Sequence, residues 1–349
     1  MELKRTFHAV GQGAFYSECF QDKNGREIFN VVYDCGTSSS NNYLFKAIDD
    51  FAKEKNSIDF VFVSHFHGDH VNGINRLLGQ CKAKKIVIPL MHLATFVEQY
   101  IFNIIDSGTV VNAANEFIAN YYLGEDERIV RIPLFGNEGG DSEDGIPYLN
   151  IENYQSKVTQ KLGDFWEYIP FNIRDNRAID FLNSFMKDYP DLYDAFAKMD
   201  RDGIDTVNAY FSVKEKVDEM ETYYKGFFHN LNESSMAVVS IPIENLCQNE
   251  AFCLYTGDYP FRVPRFYEQL RDYYNAQWNE IGTMQVAHHG ASNDNPQPLF
   301  DRKRDYVVCY GIGNRYGHPG VNTIENIIGS KSQPKLVTQW CNYCQSIVF

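Results

Sequence analysis

The segment from Phe60 to Gly73 reads FVFVSHFHGDHVNG, an alternating, mostly apolar run that ends in His65, His67, Asp69 and His70. Neutral imidazoles and a carboxylate are the side chains that hold catalytic zinc. His65 and His67 alternate at the end of an extended run, so both are expected on one side, with Phe66 pointing into a core. Gly68 is expected to permit a tight bend that brings Asp69 and His70 around. Further candidates follow later strand signals: Asp258 in FCLYTGDY, His288 and His289 in MQVAHHGASNDN, and His318 in CYGIGNRYGHPG. Asp34 ends the run NVVYD, just before Cys35 and Gly36.

Strand signals fall at about 3–10, 14–20, 28–33, 59–64 and 85–89, then again at 236–243, 251–256, 283–287 and 305–310. A helix is expected after His70, with Val71, Ile74, Leu77 and Leu78 on one face. Between the strand groups, about 92 to 227, the chain turns helix-rich: HLATFVEQYIFNIID and AIDFLNSFMKDYPDLYDAFAKM carry helical periodicity, although DFWEYIPFNI alternates like a strand. GNEGGDSEDG reads as an exposed acidic loop. The pattern predicts one α/β domain over 1–349, two sheets packed face to face with helices outside, and a helix-rich insert at 92–227. A helix from about 321 and a C-terminal hairpin, KLVTQW-CNYC-QSIVF, complete it.

Of the 349 residues, 44% are hydrophobic and the formal net charge is -14. That composition excludes a disordered chain and disfavours a grip on long duplex nucleic acid, whose affinity comes mainly from neutralised phosphates. The start of the chain has no apolar signal-like run and the apolar stretches fall short of a membrane span, so a cytoplasmic location with reduced cysteines is expected. Cys341 and Cys344 form a lone CxxC without a second pair. GQGAFY is not a dinucleotide fingerprint, because Tyr16 stands where the third glycine belongs; it is read as a turn. His92 is read as a helix-start residue.

The HxHxDH run resembles the signature of the metallo-β-lactamase-fold metallohydrolases. The resemblance implies a four-layer αββα sandwich and two metal sites, with His65 and His67 at the first and Asp69 and His70 at the second. It implies a bridging carboxylate at Asp258 and a role for Asp34 in accepting the ring proton of a ligand histidine. HHGAS followed by NRYGHP, together with LNESSMAVVS, resembles the branch containing the soluble domain of the DNA-uptake channel protein ComEC and the phosphorylcholine esterases. On that resemblance His318 is the last ligand of the second site. His288 and His289 bind phosphate or deliver protons, with one of them a ligand as the alternative. A third histidine for the first site is missing from its usual place, where His229 and Asn232 are the nearest candidates.

Two cations about 3.5–4 Å apart can share a water and lower its pKa from about 16 toward 7. The expected function is therefore hydrolysis by a hydroxide held at two zinc (alternatively manganese) ions. Asp69, His288 and His289 are assigned to the chemistry, and a phosphodiesterase or nuclease acting on a small or single-stranded phosphodiester is expected. A carboxylic ester, lactone or lactam hydrolase is the alternative enzyme; a metal-bound sensing or interaction module is the alternative outside catalysis.

Overall fold

The computed structural model describes residues 1–53, 55–124, 126–135, 159–173, 177–198, 200–228, 235–243 and 251–349. The acidic loop at 136–145 and both His229 and Asn232 lie outside the described residues.

Two seven-stranded sheets carry the architecture. The first contains β1 (Glu2–Phe7), β2 (Phe15–Gln21), β3 (Glu27–Cys35), β4 (Ser57–Phe62), β5 (Lys82–Pro89) and β6 (Ile129–Ile132). The second contains β7 (Gln160–Leu162), β8 (Trp166–Phe171), β9 (Ala237–Pro242), β10 (Cys253–Tyr255), β11 (Thr283–Gln285), β12 (Asp305–Cys309) and β13 (Lys335–Val337). The last strand, β14 (Tyr343–Val348), returns to the first sheet beside β1, giving the orders β14-β1-β2-β3-β4-β5-β6 and β13-β12-β11-β10-β9-β8-β7. Each sheet is antiparallel at one end, through β14-β1-β2-β3 and β7-β8-β9-β10, and parallel beyond.

Strand β4 shows why the sheets stack. Phe60 and Phe62 enter the apolar layer between the sheets, while Ile58, Val61 and Val63 enter the layer under the outer helices. A strand apolar on both faces must be covered on both. Helices Asn41–Ala52, Ile74–Gln80 and Leu93–Ser107 cover the first sheet, and Pro264–Tyr273 covers the second. The result is the four-layer αββα sandwich of the metallo-β-lactamase fold.

Several local expectations change. The C-terminal hairpin is not formed: β13 pairs parallel with β12, and β14 pairs antiparallel with β1 in the other sheet. The open edge of β1 offers β14 a full ladder from Glu2–Val348 to Phe7–Tyr343, so the CxxC turn joins two sheets. The stretch 92–227 contains β6, β7 and β8, which belong to the sheets, so its helices form two groups separated by strands. The segment expected as one helix from Ala178 is two, Arg177–Asp188 and Pro190–Lys198, because proline disfavours helical continuation through Tyr189. The seven cysteines among the described residues are all free thiols. No helix among the described residues is long and apolar enough to cross a membrane.

The sheets are also joined by a buried polar contact. Glu18 of β2 accepts from Arg5 Nε of β1 (2.6 Å) within its own sheet. It also accepts three hydroxyls of the facing sheet, those of Tyr168, Ser240 (2.7 Å) and Tyr255 (2.9 Å). Arg5 spends its remaining donors on the Ala251 carbonyl (2.8 Å) and Gln345 (2.9 Å). Removing one partner of a buried pair strands the other charge, at a cost of about 3–5 kcal/mol. Glu18→Ala should therefore lower unfolding free energy by that order in a urea titration, and Glu18→Gln, which keeps two acceptor-type contacts, by less. Equal stability of Glu18→Ala and the parent would show that the contact does not join the sheets.

Candidate metal centre

All the candidate side chains sit at or beyond the C-terminal ends of parallel strands. Asp34 closes β3, His65 to His70 follow β4, Asp258 follows β10, His288 and His289 follow β11, and His318 follows β12. Both sheets point these ends at one edge of the sandwich.

On the first sheet, Asp34 organises the cluster from beneath. It is fully buried with φ at 54°, a left-handed conformation that Asp tolerates better than most residues. Its Oδ1 accepts the Ser64 backbone N–H (2.7 Å), and its Oδ2 accepts the Ser64 hydroxyl (2.7 Å) and His70 Nδ1 (2.8 Å). Since the Ser64 hydroxyl donates to Asp34, its oxygen is left to accept from His65 Nδ1 at 2.9 Å. Both rings thereby carry their proton on Nδ1 and turn an Nε2 lone pair toward the cleft. Gly36 allows the loop to lie this close: a Cβ there would stand 2.5 Å from the Asp69 carbonyl carbon and the His70 nitrogen. Gly68, expected as the bend, instead opens the one-turn helix Gly68–Val71 with open space beside it.

On the second sheet, Gln285 shapes the turn that presents Asp258. Its Oε1 accepts the backbone N–H groups of Thr256 and Gly257 (both 2.7 Å) and the Thr256 hydroxyl (2.8 Å). Gly257, at φ 53°, packs against Ser64, so a side chain there would strike its Cβ at 2.7 Å. This contact brings Asp258 against the histidines: Oδ1 lies 3.3 Å from His70 Nε2 and Oδ2 3.9 Å from His65 Nε2.

Among the described residues, two triplets have ligand atoms within 4.8 Å of one another: His65, His70 and Asp258, and Asp69, His70 and His289. His67 stands beside them, its ring centroid 4.6 Å from that of His65 and 4.1 Å from Phe102. The structure places His289, not His318, beside Asp69. His289 Nδ1 donates to the Cys309 carbonyl (3.0 Å), leaving Nε2 facing Asp69 Oδ2 at 3.2 Å. His318 lies further out. Gln12 Oε1 accepts the Gly311 N–H (3.2 Å), which orients Gln12 Nε2 to donate to His318 Nδ1 at 3.1 Å. That tautomer leaves His318 with an N–H on Nε2 rather than a lone pair.

The donor set fits a pair of divalent cations. The Nε2 atoms of His65 and His67 are buried without a hydrogen-bond partner among the described residues, which is costly unless something else answers them. The pairs His70–Asp258 and His289–Asp69 bring two electron-rich atoms face to face, and each needs a positive charge between them. His70 has only one outward lone pair, so it can serve one cation at a time. Burial holds His67 down to about 4 and, with His70 and His67 nearby, holds His65 well below the usual imidazole range; both are neutral ligands at pH 7. Burial alone would raise Asp69 and Asp258, but His70 leads the neighbours that outweigh it and keep both carboxylates ionised. Burial also opposes charge on His70, yet Asp258, Asp34 and Asp69 raise its pKa well above the ordinary value. A proton thus occupies the place that a cation would take.

His67, Asp69, His288 and His289 line a cleft of about 530 Å³, with His65, His70 and Asp258 buried beside them. Phe102 and Asp106, from helix Leu93–Ser107, make one wall; Arg315, Tyr316 and His318 make the other. Asp106 and Arg315 approach to 3.6 Å. The later helices of the 92–227 stretch back this wall, with Tyr224 bonded to Glu98 and Tyr100 to Asn208 (2.9 Å). Tyr122, Trp166 and Tyr168 are buried in the cores, and Phe165 and Tyr121 pack against them. His92 caps helix Leu93–Ser107.

Sequence comparison agrees with this geometry. Residues 27–146 match the model of the metallo-beta-lactamase superfamily. The match covers about a third of the 349 residues. The matched segment includes Asp34 and the His65–His70 cluster, and it ends before Asp258, His288, His289 and His318. No curated protein matches the sequence. Among solved structures, unliganded yeast PDE1 aligns over 100% of both chains at 9% identity, TM-score 0.43. The metallo-beta-lactamase SMB-1 bound to 2-mercaptoethanesulfonate aligns over 82% of this chain and 81% of its own, at 10% identity and TM-score 0.33. A HARLDQ-motif mutant of a Cronobacter sakazakii metallo-beta-lactamase aligns over 92% and 89%, at 13% identity and TM-score 0.29. None of these scores bears on what the chain acts on.

Asp34 and Ser64 touch no cleft yet fix two ligand rings, and partners of that kind are worth about 10–100-fold in metal affinity. Asp34→Asn suits the left-handed backbone but can offer the His70 ring only one oxygen. Calorimetric titration with zinc should show a loss of that order without loss of fold. Unchanged affinity would remove Asp34 from the metal centre.

Proposed function

We infer that this chain is a zinc- or manganese-dependent hydrolase acting on small or single-stranded phosphodiesters. The observation that carries the reading is that two candidate ligand triplets share His70, and that Asp69 and His289 of the second line one cleft together with two imidazole N–H donors, on His288 and His318. A bound cation pair supplies a water of lowered pKa and offsets charge on the phosphate oxygens. The chain's own groups do the rest. Asp258, buried, and Asp69, half-buried in the cleft, are both ionised and would hold the cations. His318, oriented by Gln12, offers its Nε2–H to a phosphate oxygen.

His288 is suited to give a proton to the leaving oxygen. Its Nδ1 is 3.0 Å from Asp294 Oδ2, and Arg262 lies 3.7 Å from the same carboxylate. Burial disfavours its charge, but Asp258 and Asp294 outweigh burial and lift its pKa to about 9. The proton is therefore present below that value and lost above it. A cation on Asp258 removes part of this support and moves the loss to lower pH. A phosphodiester, with two charged or partly charged oxygens to be met, uses both histidine donors. The cleft's size, with Asp69, Asp106 and Asp294 along it and a net charge of -14, favours a small or single-stranded substrate over an extended duplex.

With bis(p-nitrophenyl) phosphate as substrate, Asp258→Ala should reduce turnover to background while the protein keeps its circular dichroism. A chelator should do the same to the parent, reversibly on adding zinc or manganese. Turnover that survives chelation would overturn the metal-dependent reading. His288→Gln should flatten the alkaline limb of the kcat–pH profile and slow substrates with poor leaving groups more than p-nitrophenyl diesters. An unchanged limb would remove His288 as the acid.

A further inference from the structure

The outer face of the first sheet is apolar and covered by helices over β3, β4 and β5, through Val32, Val61 and Ile86. Over β1, β2 and β14 it changes character. The outward positions there are Lys4 and Thr6 on β1, Ser17 and Cys19 on β2 and Cys344 on β14, and they are cross-strand neighbours: Lys4 faces Cys19, and Thr6 faces Ser17 and Cys344. These residues floor a second cavity, of about 510 Å³, a volume that suits a small-molecule ligand. Helix Asn41–Ala52 forms one wall with Lys46 and Asp50; the 339–342 turn forms the other with Trp340. None of its lining residues lines the metal cleft.

Its chemistry runs against that of the chain. In a protein of net charge -14, three lysines, Lys4, Lys46 and Lys55, meet at one cavity. Lys55 is paired with Glu27, and the carboxylate of Asp50 is answered by Lys53 at 2.7 Å. Lys4 and Lys46 are exposed and make no ion pair among the described residues. The chain has three tryptophans; Trp166 and Trp278 are buried, whereas Trp340 is 68% exposed at the cavity rim. A large aromatic face held in water beside two unanswered ammonium groups is a stacking platform next to an anion site.

We propose that this cavity is a second ligand site, separate from the metal centre, and that it binds an aromatic anion of the nucleoside monophosphate class. The phosphate lies toward Lys4 and Lys46 and the base lies on Trp340. The proposal does not depend on which bond the metal centre cleaves.

Trp340 supplies the readout. Titrating the intact protein with AMP should quench tryptophan fluorescence saturably, and Trp340→Phe should abolish the quench. Loss of each ammonium–phosphate contact is worth about tenfold in affinity, so the double variant Lys4→Ala/Lys46→Ala should shift the midpoint by about a hundredfold. Both lysines are exposed, so the fold should be retained. Asp258→Ala, which disables the metal centre, should leave the midpoint unchanged. Adenosine and inorganic phosphate should each bind more weakly than AMP. No saturable quench, a midpoint indifferent to the two lysines, or loss of the quench in Asp258→Ala would overturn the proposal. Phosphate binding as tightly as AMP would overturn the aromatic half of it.

Discussion

The candidate centre depends on two sheets keeping one relative position. His65, His67, Asp69 and His70 belong to the first sheet, and Asp258, His288, His289 and His318 to the second. Apolar side chains between the layers hold them together, but apolar contact is non-directional and tolerates sliding. Glu18 is directional. One carboxylate of the first sheet is bonded by three hydroxyls of the second, and Arg5 completes its neutralisation. A shift of one sheet by a fraction of a residue would break several of these bonds inside a dry layer, where unpaired polar groups are expensive. The position of Asp258 against His70 is set at this distance as well as by its own loop.

Closer to the cleft, the two sheets touch through small residues. Gly257 lies on Ser64, and Ser64 stands between Asp34 and His65. One serine therefore has two tasks: it relays the proton order of Asp34 to His65, and it offers the surface on which the Asp258 turn rests. A larger side chain at either position would separate the triplets. The ionisation states follow the same design: His65 and His67 are kept neutral by burial while Asp69 and Asp258 are kept charged by neighbouring histidines.

Much of this was legible in the sequence because its signals are local. HxHxDH after an apolar run, a Gly-Asp after another, and paired histidines after a third each mark a strand end that turns polar at once. Two sheets packed face to face with helices outside were readable from the strand groups at both ends of the chain, and the family resemblance implied the αββα layering. The residues that escaped notice act over long separations. Gln12 meets His318 at a sequence distance of 306, and Gln285 clamps a turn 28 residues earlier, with nothing in their neighbours to announce it. Ser64 was the exception: it precedes His65 directly, and a hydroxyl in that place could have been weighed as a partner of the ring. The C-terminal hairpin failed for a related reason. Alternation identifies β14 as a strand but does not say that β1, rather than β13, has an edge to offer.

That pairing of β14 with β1 bears on how the chain reaches its native state. The ladder joins residues 2–7 to residues 343–348, and Arg5 reaches Gln345 across 340 positions. Contacts of such separation are slow to form, because a long loop must close before they return any free energy. During synthesis the hairpin of β1 and β2 is made well before β14, and one row of its backbone N–H and C=O groups stays unanswered until β14 follows. An open row of this kind is a template for strands of other molecules. The first sheet is thus opened by β1 and sealed only by β14, and in the interval between them its edge is exposed to misassembly.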